Sequence, residues 1–286
     1  MNGIVIIDKP QDWTSQDVTA RLRRVFNTRR IGHGGTLDPM ATGVLPVFVG
    51  RATRGVEFFE HAEKTYETVL RLGISTDTED ITGTVLEEKP VNVTQEQVLA
   101  VLEQFKGEIQ QIPPMYSAIK INGQKLVDLA RKGKEVERKS RTITIFSLDF
   151  LGMTGADVRL RVHCSKGTYI RTLCKDIGNA LGCGGCMAEL RRVCAGSYDE
   201  SHAIPLATVV ECAQPAQYLQ PVDSLFSQYP AVILTEKQVL RCRNGNSFSV
   251  ELADGTYRAY DQNNEFLMLA KVDGGIMSTI KSFFSV

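Results

Sequence analysis

One carboxylate of the chain lies between a glycine-rich segment and an apolar run, in Gly32–Pro46 with the sequence GHGGTLDPMATGVLP. Pro39 fixes its own φ angle and biases Asp38 toward an extended backbone, which aims the Asp38 side chain. An imidazole, His33, lies five residues upstream. This arrangement predicts nucleophilic or general-base chemistry at Asp38. The alternative is that Asp38 only opens an Asp-Pro turn.

Strand and helix patterns predict the elements that position this motif. Residues 3–7 are apolar throughout, which is typical of a buried strand, and Ser15 is expected to cap the next helix. That helix turns its arginines outward. A strand through Val44–Val49 follows the motif, and Tyr66–Leu72 alternates in the manner of a half-buried strand.

The middle of the chain predicts a mixture of helices and antiparallel strands. In chain order the predicted elements are a helix from a cap at Thr94 to Gly107, a strand from Tyr116 to Ile121, a turn at Asn122-Gly123, a short basic helix over 125–132, an antiparallel pair at 141–150 and 157–164, a helix to about Leu181 and a strand around Leu190 to Cys194.

The last part of the chain predicts a small β domain. Prolines 215, 221 and 230 punctuate a segment that resembles a linker, where few contacts are expected to cross. Short alternating segments follow near 247–252, 256–261, 266–272 and 277–284. We therefore expect a catalytic domain over residues 1–228 and a β domain over residues 229–286.

The charge distribution favours a nucleic acid partner although the net charge is zero, with 33 basic and 33 acidic residues among 286. Two stretches concentrate the basic residues, and each alone would be interpreted as a solvated face. Together with the Asp38 motif they predict a surface that follows phosphates. The first stretch comprises Arg21, Arg23, Arg24, Arg29 and Arg30, and the second comprises Lys120, Lys125, Arg131, Lys132, Lys134, Arg138, Lys139 and Arg141.

Composition also narrows the class of protein. No apolar run approaches the length of a membrane span, and no signal-peptide pattern opens the chain, so a cytoplasmic protein is expected. Seven scattered cysteines argue against a disulfide framework. The pair Cys183 and Cys186, near Cys174 and Cys194, leaves a zinc site as an alternative that the absence of a second close pair disfavours. No phosphate-binding glycine loop occurs, and neither metal nor organic cofactor is expected.

The motif around Asp38 resembles the G-H-x-G-T-L-D-P-x-A-x-G-V-L signature of the TruB family of pseudouridine synthases, which isomerise uridine 55 in the T-arm of transfer RNA. The resemblance runs from about residue 3 to about residue 225, and position 34 departs from it, being Gly where many relatives carry Thr. The further matches are GIVIIDKP at 3–10, KTY at 64–66, LG at 72–73, TDT at 76–78, QIPPMYSA at 111–118 and HCSKGTYIR at 163–171.

This resemblance implies a fold and a reaction. The fold is α+β, with a mixed, largely antiparallel sheet flanked by helices and a small PUA-like C-terminal β domain. The reaction needs no cofactor: Asp38 acts as nucleophile or base on a flipped-out uridine, and Arg171 pairs with it and keeps it ionised. Tyr66 stacks on the target base and is a candidate to take up the C5 proton.

The resemblance also assigns substrate-binding residues. Tyr169 and Leu190 line the nucleotide pocket beside Tyr66, and His33 occupies the space that the flipped nucleotide leaves. Three lysines complete the set of substrate-binding residues: Lys9, Lys64 and Lys166. For Lys9 and Lys166 two roles stay open, holding phosphates or bracing the site. The implied partner is the T-arm of transfer RNA, and a monomer is the default.

Two rival functions remain open at this point. A glycosidase would pair Asp38 with Asp77 or Asp80 as acid and base. The single Trp of the chain is poor provision for stacking against sugars, which disfavours it. An RNA-binding factor that helps transfer RNA fold, with catalysis secondary or lost, is the second rival. The joint presence of Asp38, Tyr66 and Arg171 argues that the chemistry is intact.

Overall fold

The computed structural model describes residues 1–121 and 123–284, and within them nineteen strands and seven α-helices form. The strands are β1 (Gly3–Lys9), β2 (Ile31–His33), β3 (Thr42–Val49), β4 (Lys64–Leu72), β5 (Ile74–Thr76), β6 (Val85–Glu88), β7 (Gly107–Gln111), β8 (Lys120–Ile121), β9 (Gln124–Lys125), β10 (Arg141–Thr154), β11 (Asp157–Cys164), β12 (Gly185–Ala195), β13 (Tyr198–Asp199), β14 (Ile204–Pro205), β15 (Ala231–Ile233), β16 (Phe248–Ser249), β17 (Gly255–Tyr260), β18 (Phe266–Asp273) and β19 (Ile276–Ser282). The helices are α1 (Ser15–Val25), α2 (Val56–Phe59), α3 (Gln95–Leu102), α4 (Leu126–Ala130), α5 (Ile170–Ala180), α6 (Leu206–Glu211) and α7 (Glu236–Arg243). Short 3-10 segments cover Gly50–Gly55, Glu103–Phe105, Glu200–His202, Pro215–Tyr218 and Val222–Phe226.

A ten-stranded mixed sheet forms the centre of the molecule. Its main path runs β14-β1-β3-β12-β4-β11-β10-β7, with β2 added to β3 and β13 added to β12. Most neighbours are antiparallel, and the pairs β1 with β14 and β3 with β12 are parallel. The predicted α+β class with a mixed, largely antiparallel sheet is therefore confirmed. In the part of the chain described, no helix has the length and apolar character needed to cross a membrane.

Burial follows the predicted periodicity in the strands that matter most for the motif. In β4 every second residue from Lys64 to Leu72 is buried, which confirms the half-buried alternation. In β3 nearly every residue is buried, because both faces of this central strand are covered. The cap of α1 was predicted one residue too late: Thr14, not Ser15, accepts from the Asp17 backbone in a capping box.

The middle of the chain differs from its prediction in two places. The helix capped by Thr94 ends at Leu102, and Gly107 opens β7 with a φ of 84° instead of ending the helix. The predicted strand from Tyr116 to Ile121 is a loop that pairs only at its end, as β8. Asn122, half of the predicted Asn-Gly turn, lies outside the described residues.

The C-terminal part forms a separate five-stranded sheet in the order β15-β17-β18-β19-β16. Three of the four predicted alternating segments become β17, β18 and β19, and the segment at 247–252 contributes only the two residues of β16. A small β-sheet is thus present where the sequence predicts a β domain.

The two sheets share an apolar cluster, contrary to the prediction that few contacts cross between them. Phe48 and Phe59 of the catalytic part belong to the same buried group as Phe226, Leu269 and Phe283. Polar contacts reinforce this cluster, because Arg54 donates to the Ser282 carbonyl at 2.9 Å and Lys281 pairs with Glu57 at 2.5 Å. The prolines 215, 221 and 230 therefore mark a packed connection instead of a free linker.

Candidate active site

Asp38 and Arg171 form a two-pronged ion pair. Arg171 Nε lies 2.9 Å from Asp38 Oδ2, and Arg171 Nη2 donates to Asp38 Oδ1 at 3.3 Å. The Arg171 side chain is only 6% exposed, whereas that of Asp38 is 33% exposed. One face of the carboxylate therefore stays open while its charge is matched by a guanidinium in the fork geometry that favours the ionised state.

The loop that carries Asp38 is fixed by two buried side chains, one bound to the residue before Asp38 and one bound to the residue after it. Ser15 Oγ accepts from the Leu37 amide at 2.8 Å and donates to the Leu37 carbonyl at 3.1 Å. The Lys9 ammonium donates to the Pro39 carbonyl at 3.1 Å. Both neighbours of Asp38 in sequence are thus held by hydrogen bonds, which orients its carboxylate.

Arg171 is oriented by backbone acceptors and by a second carboxylate. It donates to the Thr78 carbonyl at 3.0 Å and to the Tyr116 carbonyl at 2.8 Å. Asp80 Oδ2 lies 3.8 Å from Arg171 Nη1, and Thr82 donates to Asp80 Oδ1 through both its amide and its hydroxyl. Asp80 is buried and bound on one oxygen, an arrangement suited to holding the guanidinium and unsuited to the proton transfers of a glycosidase.

The start of α5, which carries Arg171, is attached to the rest of the site. Gln111 accepts from the Tyr169 amide at 2.8 Å and donates to the Tyr169 carbonyl at 3.0 Å. Glu79 accepts from the Thr172 hydroxyl and pairs with Lys175, both at 2.5 Å. These contacts fix Tyr169, directly before the helix, as well as the helix itself.

Tyr66 and Leu190 lie on one face of the central sheet. Tyr66 pairs with Arg192 across β4 and β12, and Leu190 pairs with Thr68. Because residues two apart in a strand point to the same face, Tyr66 and Leu190 share one face of the sheet. Both Tyr66 and Leu190 are buried. Burial raises the pKa of Tyr66 above its ordinary value, and its phenol is therefore neutral at pH 7. A neutral phenol can stack on a base and relay a proton, but it is a weak resident base.

Burial also raises the pKa of the Asp38 carboxyl above its ordinary value. The charge of Arg171 opposes this rise, and the charge of Asp80 adds to it. A carboxylate with a raised pKa is a stronger base than a free aspartate once it is ionised. The pair of Asp38 with Arg171 therefore combines ionisation with basicity.

The three lysines assigned to substrate binding occupy different environments. Lys9 is fully buried and donates to three backbone carbonyls, those of Pro10, Trp13 and Pro39, which is the position of a brace. Lys64 is also buried, and burial lowers its pKa to about 8. Lys166 is exposed at the surface, where its ammonium lies 2.6 Å from His61 Nδ1.

His33 ends β2 beside the glycine-rich segment. Burial lowers its pKa, and the nearby charge of Arg192 lowers it further, which keeps the imidazole neutral. Its Nδ1 atom is buried and lacks a hydrogen-bond partner within residues 1–121 and 123–284. A buried nitrogen of this kind is satisfied when a ligand supplies the missing group.

The cysteines do not gather into a metal site. Cys183 and Cys186 are buried free thiols, as is Cys174, and Cys194 is partly buried. In the described ranges, no group of three or more His, Cys, Asp or Glu side chains is arranged to hold a metal ion.

Exposed side chains occur in both basic stretches. In α1 Arg21 and Arg24 are exposed and Arg23 is partly exposed, while Leu22 is buried, so two of the three arginines face outward as predicted and the third does so in part. In the second stretch Arg131, Lys132 and Lys134 follow α4 and are exposed. These side chains are therefore available to phosphates.

Sequence motifs did not reveal four of the residues that shape the site. The sequence predicts Ser15 as a helix cap and Asp80 as a partner in a rival function, and it assigns no role to Gln111 or Arg192. Ser15 and Gln111 act through backbone contacts with residues far away in sequence, for which no local pattern exists. A sequence signal for Arg192 does exist. Arg192 lies two residues after Leu190 in the same strand, so it is expected on the same buried face.

Family models cover most of the chain. A model described as TruB family pseudouridylate synthase (N terminal domain) matches residues 23–170. A second model, described as tRNA pseudouridylate synthase B C-terminal domain, matches residues 171–227. The boundary between the two matches falls at the first helical turn of α5, beside Arg171.

Relatives of similar length carry one name. The tRNA pseudouridine synthase B of Clostridium kluyveri is 42% identical over 93% of this chain and 94% of its own length. The protein of the same name from Stutzerimonas stutzeri is 44% identical over 96% of this chain and 94% of its own length. That of Escherichia coli K12 is 38% identical over 96% of this chain and 92% of its own length.

Chains in two solved structures share this fold. A Cbf5-Nop10-Gar1 complex contains a chain that superposes with a TM-score of 0.74 at 27% identity, covering 99% of this chain and 85% of that one. An H/ACA RNP bound to a substrate RNA containing 2′-deoxyuridine gives a TM-score of 0.73 at 25% identity, covering 99% and 85%. Fold and site together define a pseudouridylate synthase. The chain belongs to the TruB family of these enzymes.

Proposed function

We propose that this protein isomerises uridine 55 in the T-arm of transfer RNA to pseudouridine, with Asp38 as the reactive carboxylate. The observation that carries the proposal is the ion pair between Asp38 and Arg171, which leaves one face of the carboxylate open. Both residues lie in sequence motifs that resemble those of the family. Relatives named tRNA pseudouridine synthase B, similar over almost the whole chain, support the transfer RNA substrate.

The chemistry needs only groups that this chain supplies. The N1–C1′ bond of the nucleotide breaks, the uracil turns, and a C5–C1′ bond forms; the C5 proton leaves and N1 gains a proton. Nothing is oxidised or reduced, and no metal or organic cofactor enters. Asp38 acts as the nucleophile or as the base that starts the reaction, and Arg171 holds it ionised and oriented.

Neighbouring residues hold the flipped nucleotide. Tyr66 stacks on the uracil, and Tyr169 and Leu190 line the pocket with it. His33, neutral and with one free nitrogen, occupies the position that the flipped nucleotide leaves in the RNA. Among the lysines, Lys64 and Lys166 belong to the RNA side of the site, and Lys9 braces the Asp38 loop.

The remainder of the molecule binds the body of the RNA. The two exposed basic stretches follow its phosphates, and the C-terminal sheet acts as a PUA-like RNA-binding domain that begins near residue 229. The protein works as a monomer in the cytoplasm. Assistance to transfer RNA folding is an accompanying activity of the same surface, independent of Asp38.

Release of tritium from 5-tritiated uridine in a T-arm transcript tests the proposal, because the C5 proton must leave during isomerisation. The wild-type protein should release tritium, and Asp38→Asn should release none while its Kd for the transcript stays nearly unchanged. Asp77→Asn is the matched control, since Asp77 is an exposed carboxylate near the site that does not pair with Arg171. Tritium release by Asp38→Asn would refute the assignment, and RNA binding without release by the wild type would favour a folding factor.

A further inference from the structure

Arg192 is the largest fully buried side chain in the described residues, and it carries a charge. Its guanidinium donates to backbone carbonyls there and to no carboxylate: Nε reaches the Val44 carbonyl at 2.7 Å, and Nη2 reaches the Gly35 carbonyl at 3.3 Å. Burying a charge without an opposite charge is costly, and an apolar side chain of this size would fill the same space at less cost. Packing alone therefore does not explain an arginine at this position.

In sequence, the residues that supply these two carbonyls lie on either side of Asp38. Gly35 precedes Asp38 and Val44 follows it, so one guanidinium joins the two ends of the segment that carries Asp38. The backbone of Arg192 adds a third contact, because it pairs in parallel with Gly43. A Cβ atom at Gly43 would lie 2.2 Å from the Arg192 carbonyl oxygen, and the φ of Gly43 is 101°, which leaves no room for a larger residue.

Arg192 also faces the strand that carries Tyr66. The two residues are register partners across β4 and β12, and the Arg192 charge lowers the pKa of Tyr66 in opposition to burial. A single side chain therefore contacts the Asp38 loop and lies against the Tyr66 strand. Ser15 and Lys9 fix the middle of the loop, whereas Arg192 fixes its ends relative to the sheet.

From these contacts we propose that Arg192 is a positioning residue, which sets the spacing between Asp38 and Tyr66 by holding the Gly35–Val44 segment against β4 and β12. This inference rests on the proposed function for its kinetic consequence. Its structural consequence, a local loosening of residues 35–43, is independent of any activity.

The test compares Arg192→Met and Arg192→Lys with the wild type in single-turnover pseudouridine formation at saturating enzyme. Arg192→Met should lower the rate about a hundred-fold, the size of effect expected when reacting groups shift by about an ångström. Its Kd for the RNA should change little. Arg192→Lys keeps the charge but loses the fork, so it should recover only part of the rate. Arg71→Lys on β4, whose partner is Asp157, is the control and should keep the wild-type rate.

Amide hydrogen exchange on the same variants separates positioning from general stability. Exchange should rise in residues 35–43 while β1 and the later part of β3 keep their protection. A wild-type rate in folded Arg192→Met, a loss confined to Kd, or an equal rise in exchange across the whole sheet would overturn the proposal. Where Arg192→Met fails to fold, Arg192→Lys decides by the same criteria. Absence of pseudouridine formation by the wild type would refute the proposed function, and the exchange pattern would still decide the role of Arg192.

Discussion

Ser15 and Leu37 exchange two hydrogen bonds, through one hydroxyl and both backbone groups of the leucine. Because Leu37 directly precedes Asp38, the first residue of α1 controls the position of the carboxylate that we propose to be reactive. Ser15→Ala should therefore lower the saturating turnover by about tenfold, a smaller loss than that of a reacting group, since Lys9 still holds the other side. Single-turnover rates with a T-arm transcript measure the effect.

Thr14→Ala is the matched control for this experiment. Thr14 is the true cap of α1, so its loss should cost about 1 kcal/mol of stability without changing the hydrogen bonds of Leu37. Equal losses of turnover in the two variants would show that Ser15 acts only through the stability of the helix.

Arg171→Lys should be severely impaired although it keeps the charge. An ammonium cannot donate to both oxygens of Asp38 and also to the carbonyls of Thr78 and Tyr116. We expect a loss of about a hundred-fold or more in kcat with a smaller change in KM. Activity within a few-fold of the wild type would mean that the pair does not orient Asp38.

The rate should fall on the acid side at a higher pH than an ordinary aspartate would give. The reactive form of Asp38 is ionised, so activity is present above its pKa and is lost as the pH falls through it. Burial raises this pKa, and the Asp80 charge adds to the rise, which moves the loss toward neutral pH from the reference of about 3.9. Asp80→Asn removes the like charge, and its acid limb should therefore shift to lower pH than that of the wild type.

Single-turnover rates of both proteins across the acid range provide the comparison, with folding checked by circular dichroism at each pH. An acid limb that stays in place or moves upward in Asp80→Asn would contradict the role assigned to the Asp80 charge. The maximal rate of Asp80→Asn does not enter this comparison, because Asp80 also contacts Arg171 and its loss can lower the rate at every pH.

Removal of residues 229–286 should destabilise residues 1–228, because it uncovers Phe226, whose ring packs against Phe266 and Phe283, and opens the buried cluster that these rings share. Each such side chain contributes about 1.5–3 kcal/mol when it is buried. Phe283→Ala in the full chain isolates one contact and should cost about 3–5 kcal/mol. Ile233→Ala, a change at an exposed position of β15, is the control and should cost little.

Thermal melts of these variants, together with turnover at saturating RNA, measure the effect. A truncated protein with the melting temperature and saturating turnover of the full chain would show that residues 1–228 form an independent domain after all.

The sequence predicted those features that local patterns encode. The alternation of β4 and the cap at Thr94 follow from nearby residues. The cap of α1 also has a local pattern, although it lies at Thr14, one residue before the predicted Ser15. Asp38 and Arg171 were paired through family motifs, since 133 positions separate them. The segment around Tyr116 is a loop and not the predicted strand. The Tyr116 carbonyl accepts from the Arg171 guanidinium instead of from a neighbouring strand, and no local pattern indicates this. Roles that depend on backbone acceptors far away in sequence have no periodic signature.

The apolar cluster between the two sheets also has a consequence for synthesis of the protein. A growing chain emerges from the ribosome in order, so Phe226 appears before Phe266 and Phe283, the two C-terminal rings that pack against it. During that interval residues 1–228 carry an apolar face that is open to water. The Asp38 loop leads directly into β3, and Phe48 of β3 belongs to this same cluster, so the C-terminal sheet completes the packing of the strand that follows Asp38.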